Sequence, residues 1–156
     1  MKYSIDTSAI LDGWRRYYPP DVFPALWNRL EQLVEKGELA ASEEVLIELE
    51  KRDDEVYGWA KKRKGRMFVL IDDRQQREVL SVLSGHEKLV DTRKNRSAAD
   101  PFVIALARVE GCAVVTGERA TRSPDRPNIP DVCEALGVRC LSLLDLFREQ
   151  GWRFGR

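Results

Sequence analysis

Short apolar runs alternate with helix-period segments along this chain, and that alternation restricts its fold more than any other feature. Tyr3 to Ile5 is a short apolar run ending at Asp6, a candidate first strand. Met67-Phe68-Val69-Leu70-Ile71 is expected as a buried strand, and Cys112 to Thr116 and Val138 to Leu141 are two more. Between them, Leu26, Trp27, Leu30, Leu33 and Val34 mark one helical face, with Pro24 in its first turn and Gly37 at its stop. Ser42 can cap a helix carrying Val45, Leu46 and Leu49. Asp53 to Lys64 reads as an exposed polar helix, and Gln75 to Val90 as a helix with Val79, Leu80, Leu83 and Leu89 inward. Pro101 to Glu110, capped by Asp100 and ended by Gly111, is the clearest helix, and Asp131 to Leu136 and Leu143 to Gln150 complete the set. Parallel strands need long crossovers, which cover both faces of the sheet. The expected class is therefore α/β, with a mostly parallel central sheet.

The chain has 156 residues, enough to bury roughly 70% of its unfolded surface without a disulfide or metal staple. It is expected to form a single domain over residues 1–156. Its 26 basic residues balance 26 acidic ones. That rules out an indiscriminately basic binder, but not an acidic centre with a basic rim. Cys112, Cys133 and Cys140 form no CxxC, and the sole histidine, His86, lies far from them in sequence and reads as an exposed helical residue. The thiols are read as reduced, in a cytosolic protein. No run approaches the ~18 apolar residues of a membrane span, and the N-terminus lacks a signal-peptide core. A soluble, cytoplasmic protein is expected.

In open α/β sheets, sites lie outside the carboxyl ends of the strands. That rule selects Asp6 after the first strand and Glu118 just after the Val115-Thr116 strand end, with Asp100 at a helix start. Glu44 and Glu48 are four apart and share a helix face, and Glu48 borders the apolar side where a carboxylate needs a partner. Thr7, Ser8 and Thr116 can hydrogen-bond such carboxylates. Clustered carboxylates repel one another unless protons or cations join them. Hard oxygen donors favour Mg²⁺ or Mn²⁺, ions that activate water for phosphodiester cleavage. Bland roles compete: Glu43 and Glu44 suit a helix N-terminus, Asp100 suits a cap, and Asp72-Asp73 suits capping after a strand.

At these residues the sequence resembles the PIN-domain family of metal-dependent ribonucleases, which includes VapC-type toxins. Ile5-Asp6-Thr7-Ser8 is similar to its opening strand and first acid. Ser42-Glu43-Glu44-Val45-Leu46-Ile47-Glu48-Leu49 resembles the second-acid helix, with Glu48 at the acidic position. Asp100-Pro101-Phe102-Val103-Ile104-Ala105-Leu106-Ala107 resembles the third, and Val114-Val115-Thr116-Gly117-Glu118 the strand and turn of the fourth. Asn128 to Cys133 and Trp14 to Trp27 look like a less-studied PIN-like branch. The resemblance implies a three-layer α/β/α sandwich and a Mg²⁺ or Mn²⁺ site at Asp6, Glu48, Asp100 and Glu118. It also implies RNA hydrolysis, a homodimer and, for toxin members, a cognate antitoxin. The fourth acid is usually Asp; Glu118 keeps the charge and extends its reach by one methylene.

Basic residues flank these acids. Arg93, Lys94 and Arg96 precede Asp100, and Arg119, Arg122 and Arg126 follow Glu118, so they are candidate phosphate contacts. Lys61-Lys62-Arg63-Lys64-Gly65-Arg66, with Tyr57 and Trp59 before it, could combine phosphate attraction with stacking, or be a solvated helix end. Trp14-Arg15-Arg16-Tyr17-Tyr18 could line a groove or pack into the core. Two rival readings stand beside the nuclease. One is a PIN-like module that binds RNA or protein without cutting. The other is a haloacid-dehalogenase-like phosphatase, whose second Asp is replaced here by Ser8.

Overall fold

The structure is a computed structural model and describes residues 1–90 and 98–155. It contains strands β1 (Tyr3–Ile5), β2 (Leu39–Ser42), β3 (Phe68–Val69), β4 (Ala113–Val115) and β5 (Cys140–Leu141). All pairings are parallel, in the order β3-β2-β1-β4-β5. The helices are α1 (Thr7–Asp12), continued by a π-helical turn over Gly13–Tyr17, α2 (Pro24–Glu35), α3 (Glu43–Arg52), α4 (Asp54–Lys61) and α5 (Lys64–Met67). Then come α6 (Asp73–Gly85), a short 3-10 turn over Glu87–Leu89, α7 (Asp100–Glu110), α8 (Ile129–Leu136) and α9 (Leu143–Glu149).

Helices flank the sheet. α2 packs on β2 and α5, while α7 packs on β1, β2 and β4 and carries α6 against it. Val103, Ile104, Val114 and Val115 are fully buried, each worth about 1.5–3 kcal/mol relative to exposure. Gly111 and Gly137 end α7 and α8 with φ +65° and +69°, the left-handed stop that glycine adopts at little cost. Among the described residues no helix is long and apolar enough to cross a membrane.

Several local expectations need correction. β2 was not anticipated: Leu39-Ala40-Ala41-Ser42 becomes a strand because it lies buried between β1 and β3. The run from Met67 to Ile71 yields only a two-residue strand, since Met67 closes α5 and Leu70 is exposed. α4 is not a wholly exposed helix, because Val56 and Ala60 are fully buried. On α6, Leu80 faces outward at 69% exposure and Val82 takes the inward place. Asp100 is not the cap of α7 but lies in its first turn, after Ala99.

Candidate functional site

The chain runs from β1 through β2 to β3 on one side of the sheet, then returns to place β4 on the other side of β1. The order therefore reverses between β1 and β4, and such a reversal opens a crevice beyond the carboxyl ends of the two strands. β1 delivers Asp6 there, and β4 delivers Thr116, Gly117 and Glu118. Thr116 Oγ1 donates to Asp6 Oδ2 at 2.9 Å, and Ser8 Oγ donates to the same oxygen at 2.5 Å. Ser8 Oγ also accepts from the Gly117 N–H at 2.9 Å, and Thr116 Oγ1 accepts from the Glu118 N–H at 3.1 Å. Two hydroxyls thus tie both strand ends to one carboxylate that is only 2% exposed.

α3 presents Glu48 to the same place. Its N-terminus is fixed by Ser42 Oγ, which accepts from the Glu44 N–H at 3.3 Å. Thr7 Oγ1 donates to Glu48 Oε2 at 2.6 Å, and the Ala99 N–H donates to Glu48 Oε1 at 3.1 Å. Ala99 immediately precedes Asp100, so Glu48 bridges the end of β1 and the head of α7, where Asp100 is buried. Glu44 lies one turn earlier on α3, half-buried. Glu118 Oε1 accepts from the Ile129 N–H at the head of α8, at 3.3 Å.

The electrostatics follow from this packing. Burial raises the Asp6 carboxyl above its ordinary range; hydrogen bonds from Ser8 and Thr116 oppose that rise, and the Glu48 charge adds to it. Glu118 is pushed up to about 7, first by burial and then by Asp6, with smaller contributions from Glu48 and Asp131 against the Ile129 N–H. Glu44 is raised by burial and by Glu43 and Glu48. Among the described residues no lysine or arginine pairs with Asp6, Glu48 or Glu118.

Among the described residues, no three acidic, histidine or cysteine side chains are grouped so as to hold a metal ion by themselves. The donor set nevertheless fits a hard divalent cation. Mg²⁺ keeps several waters and is usually held through one or two carboxylates. Asp6 is buried and Glu118 half-buried, and the two acids repel each other, a charge that a cation would offset.

Two carboxylates escaped the sequence reading. Asp12 ends α1, and a Cβ on Gly117 would come within 2.6 Å of Asp12 Oδ2 and 3.1 Å of the Ser8 carbonyl. Glycine lets the turn bearing Glu118 pass close to the Ser8 backbone and the Asp12 carboxylate without displacing either, and Asp12 stands four residues after Ser8 on one helix face. Asp131 accepts from the backbone N–H groups of Thr121, Arg122 and Asn128 at 2.8–2.9 Å. Burial would raise its carboxyl, but those donors hold it down at about 2. The Asn128-x-x-Asp131 spacing is a capping box, the signal that could have revealed it.

Of the candidate phosphate contacts, Arg119 and Arg122 are exposed in the loop after Glu118, and Arg93, Lys94 and Arg96 lie outside the described residues. The basic run 61–66 is partly committed elsewhere. Arg63 pairs with Glu31 and stacks 4.5 Å over Trp59, and Arg66 pairs with Glu31 at 3.4 Å. Trp59 in turn packs with Trp14 and Trp27 at ring separations of 5.8 and 5.4 Å, so these aromatics are structural. His86 is half-buried just past the end of α6.

The sequence matches one family model, a domain of unknown function (DUF4411), over residues 3–154. No curated protein matches it by sequence. Solved structures do resemble it. One is VapBC2 from Rickettsia felis, crystallised bound to a DNA fragment from their promoter. The matched chain is 18% identical, with a TM-score of 0.53, over 82% of this chain and 97% of that one. At that identity the likeness concerns the fold, which is α/β and PIN-like.

Proposed function

We propose that this chain, which belongs to the DUF4411 family, is a metal-dependent ribonuclease formed by residues 1–156 as one domain. The observation that supports it best is the meeting of Asp6 and Glu118 at the switch point of the sheet, without a cationic side chain among the described residues to neutralise them. Asp6, Glu48, Asp100 and Glu118 would hold Mg²⁺ or Mn²⁺. The bound ion would polarise the scissile phosphate and supply a water-derived nucleophile at neutral pH. Ser8 and Thr116 orient Asp6, and Thr7 orients Glu48. Glu44 adds negative field from one turn away on α3. Arg119 and Arg122, with Arg93, Lys94 and Arg96, are assigned to the RNA backbone, where phosphate contacts dominate affinity. The chain further reads as a homodimer and as the toxin of a pair with a cognate antitoxin.

The test is cleavage of a mixed RNA pool with Mn²⁺, with and without chelator, by the wild type and Asp6→Asn. Expected is cleavage by the wild type alone, stopped by chelator, with an unchanged circular dichroism spectrum for the variant. Undiminished cleavage by the pure variant overturns the assignment. A second reading, a PIN-like module that binds without cutting, is favoured by the lack of a closed metal cage among the described residues. RNA retention with no Mn²⁺-dependent cleavage would select it.

A further inference from the structure

A cleft of about 650 Å³ opens between the end of α6 and the loop that runs from Glu118 into α8, a volume typical of small-ligand pockets. Pro124, Pro127 and Val132 give it apolar walls, and His86, Arg122 and Glu134 give it polar ones. It adjoins the carboxylate site: Asp131 lines the cleft, and Ile129, two residues earlier, donates to Glu118 Oε1 at 3.3 Å. Two sets of polar contacts frame the cleft. Lys88 Nζ meets Asp125 Oδ1 at 2.7 Å, joining the α6 end to the loop. Asp131 gathers the Thr121, Arg122 and Asn128 N–H groups and so holds Arg122 at φ +57°. A non-glycine residue rarely adopts that conformation, and such strain persists only where the surroundings over-determine it.

Charge selects the ligand. Glu87, Asp131 and Glu134 line the cleft against Arg122 and Lys88, and Lys88 is already engaged by Asp125. A phosphate is disfavoured there; an uncharged flat ring carrying both donors and acceptors is not. Glu134 lies three residues after Asp131 on α8, hence on the same helix face. We propose that this cleft recognises one RNA base beside the scissile phosphate, with the prolines against the ring and Glu134 accepting from an exocyclic amino group. Guanine, adenine and cytosine then enter in preference to uracil, which has no such group. Unstacked bases read on their edges are the usual route to sequence preference in RNA. The inference rests on the nuclease reading for its substrate class.

The test is an amide-shift titration of the full chain with guanosine, adenosine, cytidine and uridine, without divalent ions. Nucleosides isolate the base from the phosphate. Expected are shifts within residues 85–88 and 122–134, with uridine weaker by about fivefold or more. Glu134→Gln, an exposed change that leaves the fold intact, should reduce that discrimination to about twofold. Equal uridine binding, shifts confined elsewhere, or full discrimination in Glu134→Gln overturns the pocket. Mn²⁺-dependent cleavage without these shifts sinks the pocket and spares the nuclease; these shifts in a chain that cuts no RNA do the reverse.

Discussion

The two ends of β1 treat their carboxylates in opposite ways. At the amino end, Tyr3 Oη donates to Glu149 Oε2 at 2.5 Å, Gln150 donates to Tyr3 Oη at 2.8 Å, and Arg139 pairs with Glu149 at 2.8 Å. The Glu149 carboxyl is held below its usual range, first by the Tyr3 hydroxyl and then by Arg139. At the carboxyl end, three residues along the same strand direction, Asp6 has hydroxyl donors, while Glu48 and Glu118 add like charge and none of the described cations pairs with it. One end is neutralised from within the chain. The other keeps charge that no lysine or arginine among the described residues neutralises. Carboxylate pairing is thus completed within the chain at one end, while the buried Asp6 at the other points outward to a ligand.

Paired substitutions at the two ends give the largest expected contrast. Asp6→Asn removes one of the repelling charges while keeping an acceptor for Ser8 and Thr116. Mn²⁺-dependent RNA cleavage should fall by about 100-fold or more, while metal-free stability at pH 8 rises by about 1–3 kcal/mol. Glu149→Ala should do the opposite. It should leave cleavage unchanged and lower stability by about 1–2 kcal/mol, because Tyr3 and Arg139 lose their acceptor. Urea unfolding in chelator measures both; two losses of stability would break the contrast.

The pH dependence has a defined sign. Glu118 is raised to about 7 in the folded chain, whereas the unfolded carboxyl titrates near 4.3. Between those values the folded state binds more protons, so its stability is complete below the unfolded value and falls as pH rises through about 7. The loss, on the order of 3 kcal/mol, should appear in metal-free urea titrations between pH 4.5 and 8 and shrink in Glu118→Gln. Added Mn²⁺ should restore stability most at the alkaline end, since the ion competes with that proton. A metal response that is flat with pH would detach Glu118 from the site.

How much of this was legible in the sequence depends on whether a signal was local. β1 and β4 were readable because β-favouring apolar runs end in polar residues at the crevice. Leu39-Ala40-Ala41-Ser42 was not, because alanine has little strand preference and only the neighbouring strands make it one. Leu80 was placed inward by periodicity alone; α7 packs along the stripe that contains Val79 and Val82 instead. Asp6, Glu48, Asp100 and Glu118 could be nominated from strand ends and helix faces. Asp12 could not, since its importance arises from the close pass of Gly117; Asp131 was announced only by its capping spacing to Asn128, which does not foretell the three backbone N–H groups it gathers within one loop.

The smallest expected effect separates reach from charge at the acid that departs from the usual Asp. Glu118 Oε1 accepts from the Ile129 N–H at 3.3 Å, and Ile129 is fully buried. Glu118→Asp keeps the charge but withdraws the oxygen by one methylene, leaving that N–H without its acceptor. Stability should fall by about 1 kcal/mol, with the Mn²⁺-induced rise in Tm largely retained, since the negative charge still faces Asp6. Glu118→Gln keeps the reach and the acceptor but loses the charge, so it should hold stability and lose most of the Mn²⁺ response. If thermal melts with and without Mn²⁺ show Glu118→Asp losing that response instead, side-chain length governs this end of the sheet, and the charge argument drawn from the two ends of β1 fails for Glu118.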